Sequence, residues 1–537
     1  MTFVITQNCC NDASCVPVCP VNCIHPTPDD PEYATTEMLY IDPDACIECG
    51  ACLDACPVGA IEPDYDLPES SLPFIELNSV YYRDPAHLDY EQVPYAAQPA
   101  RSWKGSAPLR VAIVGAGPAS SYAVEHLLAQ RGLDVQIDVF EKLMTPWGLL
   151  RHGVAPDHQS TKKAADAFTR SMRHRAVRVF FDVDVGVDIS FAELAERYHA
   201  VLYGVGAASD RRVLIPGEDL PGSMAATQLV AWYNGHPDGL AHQPDLSADR
   251  AIVVGNGNVA LDVARILASD VDALRKTDIA EHSLDVLSES RIREVRVLGR
   301  RGADVAAFTT PELIGLREAL GPRLIRSEEI GEPSPESSVM ALYKRELIEK
   351  LPTQAPLSDE PIVVLDFCRT PVSVVGDSAV RGLRYVPTGG GDADDLECGL
   401  LVRAVGYRSE PIAGLPFDAE RAVVPNDEGR VTRIDGEVVA GAYVTGWIKR
   451  GPSGALGTNR RCAKATVSSL LDDFGAARLA EPAVADDIAE RFTKAVSFDD
   501  WRHLDSHERA SGHAAGRLRL KTVNRDEQRS IVASRES

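Results

Sequence analysis

Cys46, Cys49 and Cys52 stand three residues apart, and Cys56 follows four later with Pro57 behind it. Thiolates in this C-x2-C-x2-C-x3-C-P run are spaced to hold iron and sulfide. A looser run lies upstream: Cys9, Cys15 and Cys19, the last followed by Pro20. Two runs that each end in Cys-Pro fit a two-cluster arrangement, in which the last cysteine of one run reaches across to the other cluster. Zinc is the rival. A zinc ribbon uses two C-x2-C pairs about 15–20 residues apart. It needs neither a third cysteine at the next step nor a trailing Cys-Pro. Nine of the twelve cysteines fall within the first 56 residues. Cys368, Cys398 and Cys462 are isolated and read as core thiols.

A second chemistry begins at residue 109. The apolar run 109–114 leads into Gly115-Ala116-Gly117-Pro118-Ala119-Ser120, then a helical stretch, then a second apolar run that ends at Glu141. Gly115 suits a tight turn, and Gly117 lets a pyrophosphate approach the backbone at a helix N-terminus. Ser120 stands where the fingerprint wants Gly or Ala and is small enough for helix–strand packing. Glu141 sits where a carboxylate accepts from ribose hydroxyls.

The pattern recurs. Residues 250–254 lead into Gly255-Asn256-Gly257-Asn258-Val259-Ala260, and the strand 295–298 is followed by Gly299-Arg300-Arg301-Gly302. An acid at that strand end would bind a 2′-hydroxyl; Arg300 and Arg301 instead favour a 2′-phosphate, which predicts NADP over NAD. The plainer reading is a solvated arginine pair. Two such folds in one chain without a haem motif suggest a flavin in one and a nicotinamide in the other. A third glycine-rich stretch, 446–457, follows a short strand and precedes a helix, an arrangement that sets helix N-terminal amides beside a reduced flavin. The plainer reading there is a glycine loop with a packed Trp447. No cysteine lies between Cys56 and Cys368, so disulfide reduction by a cysteine pair after the first turn is not expected.

These groups need several domains, and 537 residues suffice for three or four. A hydrophobic share of 45% and a charged share of 25% are ordinary for a folded protein. A net charge of −24 argues against nucleic acid and anionic membrane as partners. No signal peptide or 18-residue apolar run is visible, and the free thiols fit a reducing compartment, so a cytoplasmic location is expected. The expected organisation is a cysteine-rich domain over 1–80 and a proline-punctuated linker over 81–108, followed by βαβ units. Residues 321–360 are mixed and charged without a readable role, and the tail 476–537 has some helical periodicity but no readable chemistry, its last residues reading as frayed and polar.

Taken together, residues 109 to about 475 resemble the adrenodoxin-reductase-type ferredoxin–NADP reductases. The resemblance rests on Trp147-Gly148-Leu149, Gly153-Val154-Ala155-Pro156-Asp157-His158, the stretch from Gly257 to Arg265, Arg300-Arg301-Gly302, and Gly446-Trp447-Ile448-Lys449-Arg450-Gly451-Pro452. The first 80 residues resemble bacterial two-cluster ferredoxins, and the whole chain resembles the fused ferredoxin/ferredoxin–NADP reductases of bacteria. The implied fold is α/β and α+β: a ferredoxin-like domain followed by two Rossmann-like domains of the glutathione/adrenodoxin reductase type. The FAD domain would be split into 109–206 and 404–475 around an NADP domain at 207–403. The resemblance implies FAD contacts at Ala119, Glu141, Leu149, Val185, Trp447, Gly454, Ala455 and Leu456. It implies NADP contacts at Asn256, Gly257, Asn258, Val259, Arg300, Arg301, Glu312 and Gly454. It places His158 and Glu312 near the flavin–nicotinamide junction, though His158 could anchor a turn and Glu312 a helix start. It assigns Cys19, Cys46, Cys49 and Cys52 to a [4Fe–4S] cluster, and Cys9, Cys15 and Cys56 to a second, [3Fe–4S] or [4Fe–4S]. A fourth iron in the second would need Cys10 or a non-cysteine ligand, and Cys23 reads as an unliganded neighbour.

The expected activity is NADPH–ferredoxin oxidoreduction. Hydride passes between NADPH and FAD, and single electrons pass between the clusters and an external carrier protein. Two rivals stay open: an electron-input subunit of a larger oxidoreductase, and a redox-sensing carrier that binds NADP(H) without turnover. A monomer is the default expectation.

Overall fold

The computed structural model describes residues 2–95, 103 and 108–535. Two sheets organise the chain, the outer one parallel except for two antiparallel pairings at the Asn426–Asp427 edge. The outer one has seven strands, in the order Asn426–Asp427, Arg430–Thr432, Val438–Val444, Ala200–Tyr203, Leu109–Val114, Val135–Glu141, Val177–Phe181. Leu109–Val114 is central and nearly all buried, and its apolar run reads in full as a strand covered on both faces. The second sheet has six strands: Ser223–Ala225, Leu400–Arg403, Arg250–Val254, Glu294–Leu298, Ile362–Asp366, Leu324–Arg326. All its pairings are parallel. The second sheet is therefore an insertion in the first. The chain leaves and returns through one joint, where Ser209–Asp210 pairs antiparallel with Tyr407–Arg408.

The cysteine-rich body is small, with two antiparallel strand pairs, Phe3–Ile5 with Ile61–Pro63 and Ile24–His25 with Tyr40–Ile41. Buried Asn78 joins them. Its Oδ1 accepts from Ile5 N and Ile41 N, and its Nδ2 donates to Ile5 O and Phe74 O. A buried amide with all four bonds made costs little and specifies one arrangement.

The linker boundary differs from the sequence expectation, and two segments without readable chemistry acquire a structural role. The linker does not begin at residue 81. Tyr81 is buried and stacks between Tyr40 and His87, and Tyr82 donates to the carbonyls of Cys23 and Tyr40. Tyr95 donates to Asp29, so the body extends to residue 95: its aromatic residues supply the apolar area that proline punctuation hides. Pro99 and most of the remaining linker lie outside the described residues.

The tail is structured as well. Val496 exchanges backbone bonds with Phe181, and the helix Phe498–Ala514 buries Trp501 edge-on against Trp147 at 5.5 Å. Glu508, fully buried, accepts from Arg151 and Arg519. Lys521 is buried against Asn234 O and Asp278 of the insertion and Arg151 O of the outer unit. The tail thus straps the two units together through charges that sequence periodicity does not reveal. Residues 321–360 supply the edge strand Leu324–Arg326 and the helix Val339–Glu349, which packs on the helix Pro73–Tyr81 of the cysteine-rich body. Among the described residues, no helix is long and apolar enough to cross a membrane.

Candidate functional site

The cysteines gather in two sets. Cys19, Cys23, Cys46, Cys49 and Cys52 line one small pocket floored by Phe3, Ile24 and Ile41. Cys23 lies 3.4 Å from Cys19 Sγ and hydrogen-bonds Cys46 as well. That bond holds the Cys46 thiol down to about 5 and the Cys19 thiol down to about 6, so both are readily available as thiolates. Cys23, as their donor, is pushed up. Cys49 and its neighbours Ile47 and Leu53 are exposed, so this pocket faces outward.

Cys9, Cys15 and Cys56 form the second set, with Cys10 beside them. Burial pushes the Cys9 thiol up to about 11 and that of Cys15 well above its usual value. Ala60 N donates to Cys56 Sγ at 3.2 Å. This set faces the rest of the protein. Cys10, Val58 and Ala60 share an apolar cluster with Tyr122, and Leu456 packs against it. Gly457 N donates to Cys10 O at 2.6 Å, and a Cβ on Gly457 would meet Asn11 O at 1.9 Å. Only glycine permits so close an approach of two backbones. Arg460 closes the contact on Asp12 at 3.0 Å and Ser14 at 2.6 Å.

The first glycine turn is built as its spacing predicts. Gly115 has φ +92°, and Gly117 caps the helix Pro118–Leu128 without a side-chain bond, leaving that end's amides to a ligand. Glu141 lies under the turn and accepts from Ala116 N at 2.8 Å and Leu143 N at 3.0 Å; burial pushes its carboxyl up. Two further glycine segments converge here. A Cβ on Gly446 would meet Ala119 Cβ at 2.7 Å, and one on Gly148 would meet Gly117 Cα at 3.4 Å. Leu149 opens the helix Leu149–His152 and Trp447 opens Trp447–Arg450, with the Trp447 ring 5.1 Å from Tyr407. Gly454, Ala455 and Leu456 bridge to the helix Thr458–Gly475. Val185 lies beyond the strand Val177–Phe181, bridged to Ile189.

The second turn repeats the geometry. A Cβ on Gly255 would meet Ala404 O at 2.3 Å, and Gly257 caps the helix Asn258–Ala268 with open space before it. The Asn256 side chain packs on Gly299, and Val259 is half-buried. Asn258 Oδ1 accepts from Thr309 N at 2.8 Å, tying this turn to the start of the helix Thr310–Leu320. Arg300 and Arg301 are exposed at the end of Glu294–Leu298, and among the described residues neither guanidinium pairs with a carboxylate.

His158 and Glu312, from different units, come within 3.8 Å. Arg265 Nη2 lies 2.9 Å from His158 Nε2 and also reaches Asp157 and Asp262. Glu312 Oε2 is buried with no hydrogen-bond partner, and burial, then Asp262, raises its carboxyl. Arg265, Asp157 and Asp262 received no role from the sequence, although all three stand in the quoted motifs. The available signal was Asp262 and Arg265 at i,i+3 on one helix face.

Comparison with known proteins follows these features. A 4Fe-4S binding domain model matches residues 39–62, which hold Cys46 to Cys56. A "Probable ferredoxin/ferredoxin--NADP reductase" of Mycobacterium tuberculosis is 48% identical over 97% of this chain and 93% of its own length. The "NADPH-ferredoxin reductase FprA" of the same organism is 40% identical over 78% of this chain and 97% of its own length. The solved structure of M. tuberculosis FprA in complex with NADPH covers 80% of this chain and 100% of its own length, with a TM-score of 0.72 and 37% identity. Thirty-nine to sixty-two is thus an iron–sulfur segment, and the chain belongs to the family of ferredoxin/ferredoxin–NADP reductases, which are oxidoreductases.

Proposed function

We propose that the chain holds FAD at the first glycine turn and NADP(H) at the second. Hydride would move between them beside His158 and Glu312, and electrons would be exchanged with an external carrier through iron–sulfur centres in the cysteine-rich body. FAD, when bound, takes a hydride and returns electrons singly, which an iron–sulfur centre accepts. The residues fit these groups. Three glycine segments leave a cradle at Gly117 and Ala119 that side chains would fill, and the helix amides there suit a pyrophosphate. Glu141, Leu149, Val185, Trp447 and Gly454 to Leu456 hold the flavin nucleotide in this reading. The unpaired guanidiniums of Arg300 and Arg301 hold the 2′-phosphate, with Asn256, Gly257, Asn258 and Val259 along the pyrophosphate.

Cys19, Cys46, Cys49 and Cys52 hold a [4Fe–4S] cluster, and Cys9, Cys15 and Cys56 a [3Fe–4S] cluster. Cys10 is left to the apolar contact with Tyr122 and Leu456. One observation carries the proposal: the amide of Gly457, directly after the flavin loop, bonds the backbone of Cys10 between the inner cysteine ligands. The outer set opens near exposed Ile47 and Leu53, and no lysine or arginine stands among the first 80 residues. A carrier with a basic face fits that surface.

The test is an anaerobic NADPH titration of the purified chain, with absorbance for the flavin and electron paramagnetic resonance for the clusters. Flavin bleaching with a changed cluster signal is expected within turnover time. Bleaching with unchanged clusters would overturn the internal route.

A further inference from the structure

Glu37 belongs to the cysteine-rich body, yet both its carboxylate oxygens are spent on the inserted unit. Its Oε2 accepts from Thr310 N at 2.6 Å and its Oε1 meets Lys344 Nζ at 2.7 Å. Thr310 opens the helix Thr310–Leu320, whose first turn carries Glu312. The first amides of a helix have no partner within it. Pro311 contributes none, and Glu312 N is taken, at 3.4 Å, by Thr309 Oγ1. The remaining donor, Thr310 N, is satisfied only across the domain boundary. A carboxylate there also opposes the helix dipole favourably.

Lys344 extends the grip. Buried, it donates to Phe308 O at 2.8 Å and Ala306 O at 3.3 Å, so the segment leading into the helix is held by the cation that Glu37 neutralises. An independent contact lies one turn further on. A Cβ on Gly315 would meet Gln7 Nε2 at 2.0 Å, so the same body lies directly on the same helix. At the other end of this linkage, Glu312 Oε2 is buried, unpartnered and 3.8 Å from His158. Among the described residues no hydrogen bond fixes that carboxyl, so its place depends on where the helix starts.

We propose that Glu37 is a positioning residue for the reductase: by capping the helix Thr310–Leu320, the docked cysteine-rich body sets Glu312 against His158 at the hydride-transfer junction. This rests on the junction reading given under Proposed function. Docking and hydride transfer are then coupled through one carboxylate, and the coupling requires no contact between Glu37 and either nucleotide.

The experiment uses the full-length holoprotein and the variants Glu37→Ala, Glu37→Gln and Glu312→Gln. Two readouts are taken: hydrogen–deuterium exchange of the peptide covering 306–315, and anaerobic stopped-flow reduction of the flavin by NADPH. Glu37→Ala should speed exchange in that peptide and slow flavin reduction about fivefold, the loss expected for one helix cap. The KM for NADPH should stay within about twofold, because Arg300 and Arg301 are untouched. Glu37→Gln keeps an acceptor for Thr310 N and should recover most of the rate, which a merely destabilising change would not allow. Unchanged exchange in Glu37→Ala, or a rate equal to that of the unaltered chain, overturns the proposal. If Glu312→Gln slows flavin reduction while Glu37→Ala does not, the proposal alone falls. If Glu312→Gln has no effect, the junction reading falls and takes the proposal with it.

Discussion

Arg265 places its Nη2 at 2.9 Å from the Nε2 of His158, across the boundary between the inserted unit and the outer one. A guanidinium can only donate, so His158 accepts at Nε2 and carries its proton on Nδ1. That contact fixes the orientation of the ring. It does not donate to Glu312, whose free oxygen is left to a ligand.

Removing Arg265 should therefore be costly in two ways. The side chain is almost fully buried, and it reaches Asp157 and Asp262 together. Arg265→Met leaves both carboxylates without their cation and should destabilise the fold by about 3–5 kcal/mol, measured by chemical denaturation. The acid limb should move as well. Burial works against the Asp157 carboxylate, but Arg265 prevails and holds it below the usual value. A lowered folded value contributes stability that is present above the ordinary carboxylate range and lost as pH falls through it. In Arg265→Met that contribution disappears, and Tm should fall less steeply on acidification.

Glu312 has the opposite sign. Burial raises its carboxyl in the folded state, so the folded chain binds the proton more tightly than the unfolded one. Stability must then decline as pH rises from the ordinary carboxylate value through the raised one. Glu312→Gln should remove that decline. Tm profiles of the two proteins that stay parallel across this window would contradict the assignment.

The Arg300 and Arg301 guanidiniums have no carboxylate partner among the described residues, so little structural work is lost when they go. Arg300→Ala and Arg301→Ala should each raise the KM for NADPH about tenfold, leave kcat for flavin reduction near its starting value, and leave the KM for NADH within about twofold. Steady-state kinetics with both nucleotides decides it.

Glu508 is the counter-charge for Arg151 and Arg519 inside the C-terminal strap. Glu508→Gln keeps the shape and removes the charge. It should cost about 3 kcal/mol in unfolding free energy, because buried Arg151 loses its carboxylate and Arg519 keeps only Asp505. Replacing an exposed acid of the same helix, Asp499, should change Tm little.

Iron content separates the thiols of the outer pocket. Cys46→Ser should lose the outward-facing cluster and its resonance signal. Cys23→Ser should retain its iron, since Cys23 donates to its neighbours and serves as their hydrogen-bond partner.

The two glycine turns were legible because each is local: strand, turn, helix and terminal residue follow one another in the chain, and Gly115 and Gly255 occupy conformations that side chains resist. The long cysteine run was legible for the same reason. What escaped notice is held by distant partners. Tyr82 docks on carbonyls of Cys23 and Tyr40, Lys521 finds Asp278, and Glu37 finds Thr310 across 273 positions. Each is a polar or aromatic residue in a segment of weak periodicity, where local sequence carries little information about burial. Arg265 stands between these cases. Its i,i+3 spacing from Asp262 was visible, but its reach to His158 depends on how the two units pack.

The order of the strands in the outer sheet also bears on how the protein is made. Ala200–Tyr203 must wait for Val438–Val444 as its neighbour, and every strand of the second sheet lies between them in the chain. On the ribosome, the inserted unit has all its strands before the outer sheet can close. The strap that binds the two comes later still. Synthesis therefore proceeds from the inside outward, and a chain halted before residue 438 would carry a finished inserted unit beside an open sheet edge that invites aggregation.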